Sequence, residues 1–84
     1  MGAVKLSGKE LKHLNISLTW FHDMNYDLQF MLDNIVKYGD VTEMENAFDQ
    51  VFNYYKERWS DPTAEALLGV FKKYAKQLRE TFNF

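Results

Sequence analysis

The 84-residue sequence lacks cysteine entirely and contains a single proline, Pro62. Without cysteine, the chain forms neither disulfide bonds nor zinc sites that use thiolate ligands. No apolar run approaches the roughly 20 residues that a membrane-spanning helix needs, and the N-terminus has no hydrophobic signal-peptide region. We therefore expect a cytoplasmic protein without a membrane partner.

An excess of positive charge is also missing. Ten Lys and Arg residues stand against twelve Asp and Glu residues, which leaves a net charge of −2. This balance argues against a protein that binds nucleic acid or anionic membrane through positive charge spread over its whole surface. Hydrophobic residues make up 46% and charged residues 26% of the chain, as is typical of an ordered protein. At this length we expect a single helical domain spanning residues 1–84.

The first predicted helix has clear signals at both of its ends. Ser7 and Glu10 have the spacing of a capping box, in which each side chain accepts a hydrogen bond from the other residue's amide. Gly39, which follows Tyr38, is a typical left-handed C-terminal stop. These signals predict a helix over residues 8–38.

Two further helices follow after short connections. The second is predicted to begin at Asp40 or Thr42, both of which have capping-box spacing, and to end at Trp59. The third is predicted to begin at Asp61-Pro62, an N-cap followed by proline at the first helical position, and to end near Phe82. Such short connections force neighbouring helices to be antiparallel. The expected fold is all-α, an antiparallel up-down-up three-helix bundle with a long first helix.

The apolar residues of helix 1 recur in alternating steps of three and four, which is the pattern of a packing seam. Asn25 is its one polar member. We expect this side chain either to set the packing register or to hydrogen-bond a tyrosine hydroxyl inside the monomer. The seam consists of Leu11, Leu14, Leu18, Phe21, Asn25, Leu28, Leu32 and Ile35.

The predicted helix 1 is longer than the two helices that it packs against. At 1.5 Å per residue it would measure about 46 Å, against about 27 and 31 Å for the other two helices. The surplus lies at its N-terminal end. Four side chains there would project beyond the bundle with nothing to cover them: Leu11, Leu14, Leu18 and Trp20. Either the helix breaks within residues 15–19 to give a fourth element, or a partner covers the overhang. A second copy of the chain, in a homodimer through residues 8–21, is one such partner.

Catalytic and metal-binding patterns are weak. His13 and His22 are nine residues apart, which places them on opposite sides of a helix. Asp23 and Asp27 are one turn apart, but a solvated helix face explains them without a cleft. We find no nucleophile–base pair and no metal-ligand spacing. The sequence therefore predicts a non-enzymatic protein without cofactor or metal.

Acidic residues concentrate in the middle of the chain. Residues 39–61 contain six acidic and two basic residues. Some of the acidic side chains complement the positive end of a helix dipole, whereas Asp49 lies beyond the first turn. We predict that Glu43, Glu45 and Asp49 form an electrostatic contact for a basic partner.

Aromatic residues make up 17% of the chain, and the predicted core does not account for Phe84, at the end of the sequence, or for three residues of helix 1. Tyr26 and Phe30 are one turn apart on the side of helix 1 opposite the seam, and Trp20 lies near the overhang. These three are predicted to form a partner-binding surface. Alternatively, Tyr26 and Phe30 cover the end of their own bundle.

A cationic strip on the third helix gives a second hypothesis. Lys72, Lys73, Lys76 and Arg79 could contact phosphates in a small nucleic-acid-binding domain. However, the negative C-terminal end of a helix dipole also favours cations. Recognition helices contact bases with their N-terminal residues, and Glu65 lies at that end of the third helix.

In size and helical character the chain is similar to small helical immunity, inhibitor and adaptor proteins of bacteria and phages, an analogy of fold alone. The function predicted from the sequence is binding and occlusion of a protein partner. Nucleic-acid binding is the alternative.

Overall fold

Four helices and no strand make up the regular structure of the described residues, which are 5–59 and 63–81 of a computed structural model. The helices are α1 (Gly8–Asp23), α2 (Leu28–Tyr38), α3 (Thr42–Tyr55) and α4 (Ala64–Thr81). The all-α prediction is confirmed. The predicted count of three helices is wrong, because the long first helix is divided into α1 and α2.

The division occurs at a turn over residues 24–27. Asn25 adopts a left-handed conformation with φ 62°, which Asn tolerates better than most residues. The amide of Asn25 donates to the His22 carbonyl at 3.0 Å, and the amide of Tyr26 donates to the Phe21 carbonyl at 3.0 Å. This pair of bonds is the Schellman motif that ends a helix. Asp27 then caps α2 by accepting a hydrogen bond from the Phe30 amide at 3.0 Å.

The turn corrects two predictions. Residues 15–19, where a break was considered, are continuous α1 helix. Asn25 is not a polar member of a packing seam, because it lies in the turn and its left-handed backbone ends α1. A fourth element does exist, but a helix stop at Asn25 creates it.

Other helix ends follow the sequence signals closely. Ser7 and Glu10 form both bonds of the capping box at the start of α1. Gly39 is left-handed, with φ 66°, at the end of α2. Asp40 accepts a hydrogen bond from the Thr42 amide at 3.0 Å. Because this bond and the Thr42 hydroxyl favour the ionised carboxylate, the pKa of Asp40 lies below its usual value.

The helix α3 begins at Thr42, one of its two predicted starts, but its N-cap and its end differ from prediction. No side-chain hydrogen bond caps α3 at its N-cap residue, Val41, and this helix ends at Tyr55 rather than at Trp59. Thr63 accepts a hydrogen bond from the Ala66 amide at 3.3 Å at the start of α4. The predicted cap at Asp61-Pro62 and the predicted end at Phe82 lie outside the described residues.

Packing of α4 against α2 and α3 forms the largest contacts of the fold, and α1 lies against α2 and α3. Rings of Phe21, Phe48 and Phe71, from three different helices, meet at the centre with centroid distances of 4.9 to 6.1 Å. Leu14 and Leu18 are 0% and 1% exposed within one chain. Leu11 stays 40% exposed, but most of the overhang that suggested a homodimer through residues 8–21 is covered within one chain, and the homodimer itself stays a prediction.

None of the helices in the two described ranges has the length and apolar character that crossing a membrane requires.

Candidate functional site

Two of the three predicted acidic contacts line one groove between α3 and α4. The groove has a volume of about 270 Å³ and is bordered by Glu45 and Asp49 of α3 and Glu65 of α4. Its remaining lining residues are Asn46, Phe48, Ala64 and Leu68. We call these seven residues the acidic groove. Glu43, the third predicted contact, is exposed on α3 and does not line it.

The shape of the acidic groove follows from helix periodicity. Glu45 and Asp49 are four residues apart and thus on the same face of α3. Phe48, from the adjoining face, is only 2% exposed and packs into the core. Leu68 and Ala64, which are half-buried, are one turn apart on α4 and supply the opposite wall. The result is an apolar floor with three carboxylates and no cation among its lining residues.

Five of the seven groove residues were not predicted as partner contacts, among them Glu65 and Leu68 of α4. Glu65 and Leu68 are three residues apart near the start of α4. This spacing is visible in the sequence and places the two side chains next to each other on the helix surface. The contact with α3 could not be found from periodicity, because it depends on how the two helices pack.

Trp20 is part of the internal packing rather than of an uncovered surface. Its ring stacks on Tyr55 with a centroid distance of 4.1 Å and meets Trp59 edge-on at 4.7 Å. The side chain remains half-buried. Trp20 therefore does not project beyond the bundle as predicted.

Tyr26 and Phe30 do not share a helix face, since Tyr26 lies in the turn before α2 and Phe30 in α2 itself. The Tyr26 hydroxyl donates to Oε1 of Gln50 on α3 at 2.6 Å, and its ring meets Phe21 edge-on at 6.0 Å. Tyr26 thus packs onto its own bundle. Phe30 is 50% exposed and is the more accessible of the two.

The predicted cationic strip lies on α4 but is interrupted. Tyr74 departs from helical geometry, with φ −115° and ψ 19°, between Lys73 and Lys76. Arg79 is paired with Asp33 of α2 at 2.9 Å, and the Lys73 ammonium lies over the Tyr74 ring at 5.5 Å. In the described chain, only Lys72 and Lys76 of the four have neither an ion pair nor a ring contact.

Metal-binding geometry is not found in the described ranges, which hold no group of three or more His, Asp or Glu side chains suited to a metal ion. His13 uses its Nδ1 to donate to the Lys9 carbonyl at 2.9 Å.

A scan against protein-family models and searches of curated proteins and of solved structures found no match to this chain.

Proposed function

We propose that the chain is a non-enzymatic protein-interaction module, of inhibitor, immunity or adaptor type, that binds a basic segment of a protein partner and occludes it. The observation that supports this most is the acidic groove, because it combines an apolar floor with carboxylates from two helices. Since a cysteine-free chain needs no oxidising compartment, we place this binding in the cytoplasm.

The dimensions of the acidic groove suggest how a partner engages it. About 270 Å³ accommodates one or two side chains rather than a whole helix. A lysine or arginine side chain has an apolar stem and a charged head. The stem would lie along Leu68 and Ala64, and the head would reach Glu45, Asp49 or Glu65. Apolar burial then supplies affinity, and the carboxylates supply steering and selectivity.

Nucleic-acid binding through α4 has less support. Arg79 is held by Asp33 and the helix is distorted at Tyr74, so the four cations do not form a straight, free row. A gel-shift assay at low salt separates the two functions, because phosphate binding is strongest there. We expect no retardation of single- or double-stranded nucleic acid.

Affinity capture with three baits tests the proposal. The groove variant, Glu45→Gln/Asp49→Asn/Glu65→Gln, removes three carboxylates and keeps the side-chain sizes. The control variant, Asp23→Asn/Glu57→Gln/Glu80→Gln, removes the same charge from three exposed positions outside the groove.

We expect the wild type and the control variant to retain the same protein partner and the groove variant to lose it. Each exposed ion pair contributes about 0.2–1 kcal/mol, so loss of the one or two pairs that the groove can form weakens binding by up to about 2 kcal/mol, with tenfold lying inside that range. Equal retention by all three baits would contradict the acidic groove as the docking site.

A further inference from the structure

A second cleft lies on another part of the molecule, between α1 and the segment that follows α3. Its volume is about 220 Å³, and it is lined by Lys12, His13, Ile16, Trp20, Arg58 and Trp59. We call these six residues the basic cleft. None of them belongs to the acidic groove, and the proposed function does not use them.

The walls of the basic cleft are aromatic and held in place by ring contacts. Trp20 is stacked on Tyr55 at 4.1 Å, and Trp59 meets Trp20 at 4.7 Å and Phe52 at 5.6 Å. Ile16 lies one turn before Trp20 on the same face of α1. Since a cavity of about 150 Å³ holds benzene, this cleft is large enough for one aromatic ring with a substituent.

The charges of the cleft select an anion. Lys12 and Arg58 are exposed cations, and no lining residue is acidic. The Nδ1 of His13 donates to the Lys9 carbonyl at 2.9 Å, so Lys12 and Arg58 are the groups in the cleft that attract an anion. An aromatic ligand with a negative substituent therefore matches the walls and the charges together.

The indole of Trp59 provides an independent observation. Trp59 is only 5% exposed, and its Nε1 is buried without a hydrogen-bond acceptor among the described residues. Buried tryptophan N–H groups usually find an acceptor. Trp59 lines the cleft, but its Nε1 is closed to solvent, so the N–H would reach a carboxylate oxygen beside Lys12 and Arg58 only if the Trp59 ring shifts when the ligand binds.

We infer that the basic cleft is a binding site for a small aromatic carboxylate, with the ring against Trp20 and Trp59 and the carboxylate between Lys12 and Arg58. This site is separate from the acidic groove, so either can fail without the other.

Titration of the ¹⁵N-labelled protein with benzoate tests the inference. The chain has two tryptophans, so its spectrum contains two indole N–H resonances. A Trp20→Phe variant assigns the one from Trp59. We expect benzoate to shift the Trp59 indole resonance and saturate with a Kd on the order of 1 mM, a realistic value for so small a ligand.

Two other probes separate ring from charge. Benzamide has the ring without the charge, and acetate has the charge without the ring. Each is expected to bind at least tenfold more weakly than benzoate. If benzamide shifted the resonance as strongly as benzoate, the inferred carboxylate recognition would be wrong, and if acetate did so, the ring would have no role.

Matched variants locate the site. Lys12→Gln/Arg58→Gln should weaken benzoate binding about tenfold, in proportion to two lost charge-assisted contacts. Lys72→Gln/Lys76→Gln removes the same charge from α4 and should leave it unchanged. All four side chains are exposed, so both variants are expected to fold. Equal weakening in both, or no movement of the Trp59 resonance, would overturn the proposal.

Discussion

The acidic groove and the basic cleft are built alike and charged oppositely. Each has apolar walls from two elements, and their volumes are similar at about 270 and 220 Å³. Three carboxylates border the first, whereas two cations and His13 border the second. The net charge of −2 conceals this separation. A net charge this small argues against a strong electrostatic potential over the whole surface. It does not determine the charge of a local patch, which a few side chains create.

One wall residue of each site, Phe48 and Trp20, shows a further difference, which is how far the side chain belongs to the core. Phe48 of the acidic groove is 2% exposed and lies at the centre of the bundle. Trp20 of the basic cleft is half-buried and packs among rings near the surface. Substitutions in the walls should therefore cost different amounts of stability.

The largest expected effect is that of Phe48→Ala. This ring contacts Phe21 at 4.9 Å and Phe71 at 5.3 Å, so its removal leaves a cavity between three helices. We expect the free energy of unfolding to fall by about 3–5 kcal/mol, measured by urea denaturation. Asn46→Ala, at an exposed position in the same groove, should change it by less than about 0.5 kcal/mol. Similar values for the two would show that the groove floor is not part of the core.

A smaller loss is expected for Trp20→Ala. The ring is stacked on Tyr55 but only partly buried, so we expect a fall of about 2–3 kcal/mol in the free energy of unfolding. Tyr54→Ala is the control, because Tyr54 also contacts Tyr55, at 4.7 Å, yet is 73% exposed. It should lose less than about 1 kcal/mol. The comparison between the two sites fails if Trp20→Ala costs as much as Phe48→Ala.

The smallest effect concerns Asp40, which belongs to neither site. Its pKa is lowered in the folded protein by hydrogen bonds from the Thr42 amide and hydroxyl. The folded state thus favours the ionised form, and the stabilisation is present above the unfolded pKa of about 3.9. It is lost as the pH falls through the lower folded value.

Wild type and Asp40→Asn should accordingly differ in stability near neutral pH, and the difference should begin to shrink below about pH 4 and be lost below the folded pKa. Thermal unfolding from pH 7 down to acid conditions measures this difference. A gap that widens as the pH falls would contradict the hydrogen bonds as the cause.

Local signals in the sequence were sufficient for most of the helix ends. The Ser7–Glu10 capping box and the Gly39 stop depend only on residues within one turn, and both form as expected. The division between α1 and α2 also has a local signal in the sequence. Asn25 is a residue type that ends helices, and Asp27, two positions later, is a typical N-cap for the next helix. This signal was missed because Asn25 also fits the three-and-four spacing of the seam, and the spacing was given precedence.

The functional surfaces were less accessible to prediction. Helix periodicity places Glu45 with Asp49, but their proximity to Glu65 depends on the packing of α3 against α4. Trp59 was predicted to be the last apolar residue of a helix. It lies beyond the end of α3, where its ring packs against Trp20. Such contacts between distant residues arise from tertiary packing, which periodicity does not encode.

Binding of a basic segment in the acidic groove is the central claim, and one titration tests it most directly. The ¹⁵N-labelled protein is titrated with an amphipathic peptide that presents Leu and Lys on one face, and with the same peptide carrying Glu in place of Lys. The account predicts saturable amide shifts at residues 45–49 and 64–68 with the Lys peptide alone. It also predicts roughly tenfold weaker binding to Glu45→Gln/Asp49→Asn/Glu65→Gln. Shifts confined to other residues, or equal binding of the two peptides, would contradict it.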